Sequence, residues 1–107
     1  MINILILKDN QKNIKFIEAT GHSGYAESGY DIVCSAVSTL MQSLAVGLKE
    51  VVNVSVDVKI DEATPYMNIS LKENNETVQV LMQTTVLSLK QVANEFTKHI
   101  KIKEKQV

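Results

Sequence analysis

The composition excludes a disulfide bond within the chain, because the 107 residues include only one cysteine, Cys34. Tryptophan is absent, proline occurs once, and aromatic residues make up 5% of the chain. Eleven Lys and Arg residues face twelve Asp and Glu residues, so no excess of charge indicates general binding to nucleic acid or membrane. What is left is one globular domain over residues 1–107 with a free thiol and no sign of an oxidising compartment.

Targeting signals are also lacking. The first eight residues carry neither a basic region nor a small-residue cleavage site, so we expect no export signal. The longest uncharged stretch, Ile32 to Leu48, is close to membrane-spanning length but contains polar residues such as Ser35 and Gln42. It is better explained as a buried helix, and the expected location is the cytoplasm, with no membrane partner.

Hydrophobic periodicity predicts an α+β fold. Apolar and polar residues alternate in the stretches predicted as strands, while apolar residues recur at helical spacing in the two predicted helices. The predicted strands are residues 1–8, 14–20, 52–60, 66–71 and 98–105, and the helices are residues 32–48 and 78–96. The order is ββαββαβ, with two helices packed on a mainly antiparallel sheet. The last strand is expected at an edge, where its lysines discourage aggregation.

A loop at about residues 21–30 holds three of the four glycines: Gly21, Gly24 and Gly29. Glycine permits positive φ angles and close backbone approach, here either to His22 or to a bound extended peptide. The same composition allows mobility. We therefore expect a mobile loop that can act as a lid over a substrate.

Cys34 lies in the first turn of the first predicted helix, for which Asp31 is the expected N-cap. At 100° per residue it falls about 200° around the helix from Ile32, at the polar edge of the apolar arc. Helix N-termini favour an anion, and the thiolate is the nucleophilic form of cysteine. The negative charge of Asp31 opposes this effect, so only a direction is predicted.

A reactive cysteine usually needs a base, and the chain has two histidines. His99 lies in a lysine-rich tail and is expected to be solvated. His22 lies in the glycine loop, where a return from a strand end to a helix start can bring it to Cys34.

The residues alone also allow interpretations in which these side chains have no catalytic role. Cys34 can be an inert core residue, and Asp31 a cap without a catalytic role. Ser38 can bond either a substrate carbonyl or its own helix. No metal site and no cofactor are expected, since His22 and Cys34 lack further ligands at usable spacing.

The segments Gly21-His22 and Gly29-Tyr-Asp-Ile-Val-Cys-Ser-Ala-Val-Ser38 resemble the signature of the bacterial ribosomal-processing cysteine proteases called Prp. One departure is Ser35, where alanine is commoner. The resemblance implies a homodimeric endopeptidase whose loop is mobile until substrate binds. Its substrate would be the N-terminal extension of the twenty-seventh large-subunit ribosomal protein, and its activity would support ribosome assembly. Cys34 would be the nucleophile and His22 the general base and acid.

Two other functions are weighed against the protease. A non-catalytic module bound to the ribosome or to RNA is suggested by the C-terminal lysines, although direct nucleic-acid binding is not the expectation. A redox-sensing thiol would need a resolving cysteine, which the chain lacks. Dimerisation has its own signal, because Val80 and Leu87 lie opposite the apolar stripe of the second helix and Val46 lies on the polar side of the first.

Overall fold

The computed structural model describes residues 1–27, 31–61, 63 and 65–107. The segments in which apolar residues alternate are strands, which have a side-chain period of two residues. The segments in which apolar residues recur at helical spacing are helices, which have a period of 3.6 residues. The strands are β1 (Ile2–Lys8), β2 (Ile14–Thr20), β3 (Val56–Asp61), β4 (Tyr66–Leu71) and β5 (Ile100–Gln106). The helices are α1 (Ile32–Val46), which continues into a π-helical turn (Gly47–Val51), and α2 (Glu76–Glu95).

The five strands form one sheet in the order β3-β4-β2-β1-β5. Strand β5 runs parallel to β1, with Ile100 opposite Ile2, and the other neighbouring strands are antiparallel. The predicted ββαββαβ order, the mainly antiparallel sheet and the edge position of the last strand are confirmed.

The core lies between one face of the sheet and the two helices. The strands contribute every second side chain to it, as a half-buried sheet requires. Fully buried core residues include Ile4, Ile6, Ile17 and Ile69 from the sheet, Val33, Met41 and Leu48 from the first helical segment, and Val78, Met82 and Leu89 from α2.

The segment Ile32–Val51 is long and apolar enough to cross a membrane by length and composition. One such helix is weak evidence of a membrane span, because the core helix of a globular domain passes the same test. Here the segment buries Val33, Met41 and Leu48 against the sheet and α2, which supports the interpretation as a core helix.

Strand β3 begins at Val56, four residues later than predicted. The preceding residues alternate correctly, but their backbone is used elsewhere: Val52 N–H donates to the Gly47 carbonyl at 2.9 Å, and Val54 N–H donates to the Leu48 carbonyl at 3.0 Å. Asn53 takes a left-handed conformation with φ of 59°. The backbone at the start of the predicted strand is therefore hydrogen-bonded to the end of the helical segment and does not pair in the sheet.

Two other elements start two residues away from their predicted positions. Helix α2 begins at Glu76 and not at Val78, because Asn75 is its N-cap and accepts from Val78 N–H at 2.9 Å. Strand β5 begins at Ile100, two residues later than predicted, because a turn ends α2, in which His99 N–H donates to the Phe96 carbonyl at 2.9 Å.

Candidate active site

A cleft of about 590 Å³ lies where the end of β2, the start of α1 and the turn between β3 and β4 meet. His22, Cys34 and Ser38 all line it. Apolar side chains line much of the remaining wall: Ile2, Ala19, Val37, Met41, Ile60 and Met67. A cleft with an apolar wall and a few convergent polar groups is the usual form of a binding site.

Asp31 is the N-cap of α1, as predicted. Its Oδ1 accepts from the N–H groups of Val33 at 3.0 Å and Cys34 at 2.9 Å, and its Oδ2 accepts a hydrogen bond from the Ser23 hydroxyl. Burial alone raises the pKa of this carboxyl, but the hydrogen bonds from Ser23 and Cys34 outweigh burial and lower the pKa from 3.8 to about 2. Asp31 is therefore ionised at neutral pH.

Cys34 is half-buried in the first turn of α1, next to the cleft. Its Sγ atom accepts a hydrogen bond from the backbone N–H of Ser23 at 3.4 Å. His22 precedes Ser23, is exposed, and lines the same cleft, so the fold brings both predicted catalytic residues to one cavity; their roles stay predictions.

The N–H groups at the start of α1 are used within the protein. Val33 and Cys34 donate to the Asp31 carboxylate, and Ser35 N–H donates to the Asp31 carbonyl at 3.1 Å. All three groups are therefore already paired within the protein.

Gly21 directly follows β2, and its position accepts no side chain. Its φ is +93°, and a Cβ atom there would lie 2.5 Å from the backbone oxygen of Met1. Its N–H donates to the Pro65 carbonyl at 3.0 Å, which ties the loop to the opposite wall of the cleft. Gly24 also has a positive φ, of +70°, but in open space. Gly29, the third predicted site glycine, lies outside the described residues.

Ser38 is exposed one turn beyond Cys34 and faces the cleft. Its hydroxyl accepts from Gln42 Nε2 at 2.8 Å. This bond leaves the hydroxyl proton of Ser38 available to a ligand, so its role as a substrate contact stays a prediction.

The prediction that His99 is solvated is wrong. His99 is half-buried, and its Nδ1 lies 2.9 Å from the Ser23 carbonyl. Its ring packs edge-on against Tyr25 at a centroid distance of 5.3 Å, and Tyr25 packs edge-on against Phe96 at 5.5 Å. Tyr25 thus anchors the glycine loop to the end of α2.

Ser23 and His99 are the site residues that the sequence did not single out. Their contact joins residues 76 positions apart, and no periodicity or spacing signals such a pair. Among the described residues, no group of three or more His, Cys, Asp or Glu side chains could hold a metal ion.

A half-buried thiol at a helix N-terminus, in a cleft shared with a histidine, is typical of cysteine-dependent hydrolases. The family model described as "Cysteine protease Prp" matches residues 1–101. The chain therefore belongs to the Prp family of cysteine proteases.

Relatives match nearly the whole chain in sequence, and solved structures match it in fold. The ribosomal processing cysteine protease Prp of Staphylococcus aureus is 24% identical over 106 residues, which cover 98% of this chain and 100% of the relative. A crystal structure of the S. aureus protease with a covalently linked product peptide superposes with a TM-score of 0.92 at 24% identity, covering 98% of this chain and 100% of that one. The crystal structure of SMU.848 from Streptococcus mutans gives a TM-score of 0.87 at 30% identity, covering 100% and 96%.

Proposed function

We propose that this protein is an endopeptidase that removes the N-terminal extension of the twenty-seventh large-subunit ribosomal protein. The observation that carries the proposal is Cys34 at the start of α1, in a cleft that His22 also lines. Membership of the Prp family supports the protease class. The names of the relatives, which describe ribosomal processing, support a ribosomal substrate, and the choice of the twenty-seventh protein follows from the motif resemblance.

The first half of the reaction is acyl transfer to sulfur. His22 accepts the thiol proton, and the Cys34 thiolate forms a bond to the scissile carbonyl carbon. As the tetrahedral intermediate collapses, the carbon–nitrogen bond breaks and His22 returns its proton to the leaving amine. The peptide that begins at the new N-terminus leaves, and the extension remains on Cys34 as a thioester.

The second half is hydrolysis. His22 accepts a proton from water, the resulting hydroxide attacks the thioester carbonyl, and the carbon–sulfur bond breaks to release the extension and the thiolate. Because the first N–H groups of α1 are engaged by Asp31, we assign the contact to the substrate carbonyl to the Ser38 hydroxyl. The apolar wall formed by Val37, Met41 and Met67 suits a substrate with apolar side chains next to the cleaved bond.

We propose further that the protein acts in the cytoplasm as a homodimer. Val80 and Leu87 are 62% and 59% exposed on α2, and Val46 is 55% exposed on α1. Two large apolar residues seven positions apart on one exposed helix face suit a contact with a second copy.

The test is incubation of the purified protein with the ribosomal protein that carries its extension, followed by mass measurement of the product N-terminus. Wild type should shorten the substrate, and Cys34→Ala should not. Ser35→Ala is the matched control, since Ser35 is an exposed neighbour on the same helical turn and its variant should retain activity. Shortening by Cys34→Ala at the wild-type rate would refute the proposal.

A binding module for ribosomal RNA is the second candidate. Lys101, Lys103 and Lys105 line a cavity of about 340 Å³ on the face of the sheet that the helices leave open. Glu18 lines the same cavity, which weakens its attraction for phosphate. RNA affinity that disappears when the three lysines are replaced by glutamine, together with absent cleavage, would favour this candidate over the protease.

A further inference from the structure

Ser23 is an exception in the described part of the glycine loop. It is 2% exposed, whereas His22 before it and Gly24 after it are exposed. A buried polar residue needs partners for its hydrogen-bonding groups. Ser23 has them for every polar atom, and these partners come from three separate parts of the fold.

The bonds of Ser23 are directional. Its backbone N–H donates to Cys34 Sγ at 3.4 Å, and its hydroxyl donates to the Asp31 carboxylate. The hydroxyl oxygen also accepts from Tyr25 N–H at 3.0 Å. Its carbonyl oxygen lies 2.9 Å from His99 Nδ1; because a carbonyl only accepts, Nδ1 must carry the proton in this contact.

His99 is itself firmly held. Its N–H donates to the Phe96 carbonyl at 2.9 Å, and its own carbonyl accepts from Ile2 N–H at 2.8 Å, which joins it to the start of β1. The ring is packed against Tyr25. Ser23 is therefore held from two sides: its hydroxyl by Asp31 at the N-cap of α1, and its carbonyl by His99 before β5.

The position of the Ser23 N–H matters for the chemistry. It belongs to the peptide unit that joins His22 to Ser23, so the same contact that reaches Sγ also holds the His22 backbone beside the sulfur. A hydrogen bond to the charged form of a group stabilises that form, and here the charged form is the nucleophile.

Building on the proposed protease mechanism, we infer that Ser23 and His99 are positioning residues: held by Asp31 and His99, Ser23 aims its N–H at Cys34 Sγ and keeps the His22 backbone beside the sulfur. Both act through other groups and neither is consumed in the reaction. Titratable groups in this network are Cys34 in the first turn of α1, Asp31 at its N-cap, His22 and Tyr25 on the loop, and His99 before β5.

The test measures how fast iodoacetamide alkylates Cys34 across the neutral pH range in Ser23→Ala, His99→Phe and His99→Asn. His99→Phe keeps an aromatic ring against Tyr25 but lacks the donor, whereas His99→Asn places an amide N–H close to the position of Nδ1. We expect Ser23→Ala and His99→Phe to slow alkylation by about threefold or more at neutral pH and to shift its rise toward higher pH. His99→Asn should restore much of the wild-type profile.

Cleavage kinetics provide the second readout. Loss of positioning should lower kcat with little change in KM, because the apolar wall of the cleft is intact in these variants. Urea unfolding of each variant identifies the conditions in which it is folded, and alkylation is compared only there. Ser35→Ala is the control and should match wild type in both assays.

Wild-type alkylation profiles in folded Ser23→Ala and His99→Phe would overturn the inference while leaving the protease proposal intact. A His99→Asn profile equal to that of His99→Phe would overturn the donor role of His99. Absence of cleavage by wild type would refute the protease proposal, and the alkylation profiles would still decide whether Ser23 controls the thiol.

Discussion

The carboxylate of Asp31 joins α1 to the glycine loop, so its removal measures how strongly the two are held together. In Asp31→Ala, the N–H groups of Val33 and Cys34 lose an acceptor that lies at 3.0 and 2.9 Å, which costs about 1–2 kcal/mol. The buried Ser23 hydroxyl also loses its acceptor, which costs about 1–3 kcal/mol. Because one side chain serves both contacts, we expect the free energy of unfolding to fall by about 2–4 kcal/mol.

The charge of Asp31 can be separated from its shape with Asp31→Asn, which retains an oxygen for the helix N–H groups. A carboxyl whose pKa falls from 3.8 to about 2 on folding contributes about 2 kcal/mol of stability at neutral pH. Since the folded pKa is the lower one, this contribution is present above about pH 4 and is lost as the pH falls through about 2. The stability difference between wild type and Asp31→Asn should therefore shrink in acid.

The assay is urea unfolding followed by far-ultraviolet circular dichroism, at neutral pH and in acid where the protein is still folded. A loss below about 0.5 kcal/mol for Asp31→Ala, or a wild-type advantage over Asp31→Asn that stays constant into acid, would refute the reasoning. The first result would mean that the loop is not held by Asp31, and the second that its charge does not stabilise the fold.

Two further predictions concern the backbone and the surface. Gly21→Ala should lose at least about 2 kcal/mol in urea unfolding, because a left-handed φ and a clash with the Met1 carbonyl add up there. Gly24→Ala, in open space, should lose only about 1 kcal/mol; equal losses would contradict this. For the dimer, light scattering at micromolar concentration should give twice the chain mass for wild type and a monomer for Val80→Glu combined with Leu87→Glu. A wild-type monomer, or a double variant that remains dimeric, would remove α2 from the interface.

The parts of the fold that depend on local pattern could be predicted from the sequence. Strands β2 and β4 have the predicted bounds because a neighbouring strand pairs with them up to both ends: β1 pairs with β2 from Ile14 to Thr20 across one register shift, and β3 pairs with β4 from Tyr66 to Leu71. The alternation at Val52 and Val54 predicted a strand that does not form there. Such a pattern indicates which side chains are half-buried, but a strand also needs a neighbouring strand with which to pair. The site divides in the same way: the cap at Asp31 and the position of Cys34 are local, and both were predicted.

The rest of the site depends on contacts between distant segments. His99 reaches Ser23 because β5 runs parallel to β1 and so places the end of α2 beside the glycine loop. No sequence pattern in the C-terminal segment indicates that parallel pairing, because its lysines predict only a solvent-exposed edge strand. His99 was therefore predicted to be solvated because lysines surround it in the sequence, but its ring is in contact with Tyr25.

The central claim is that Cys34 carries the cleaved segment as a covalent acyl intermediate. The most direct measurement is the intact mass of the protein after acid quenching of its reaction with an activated ester of the extension peptide, for which deacylation is the slow step. We predict a mass increase of one acyl group per chain on Cys34 in wild type, and none in Cys34→Ala. Ester turnover with no covalent species in wild type, or the same adduct in Cys34→Ala, would contradict the claim.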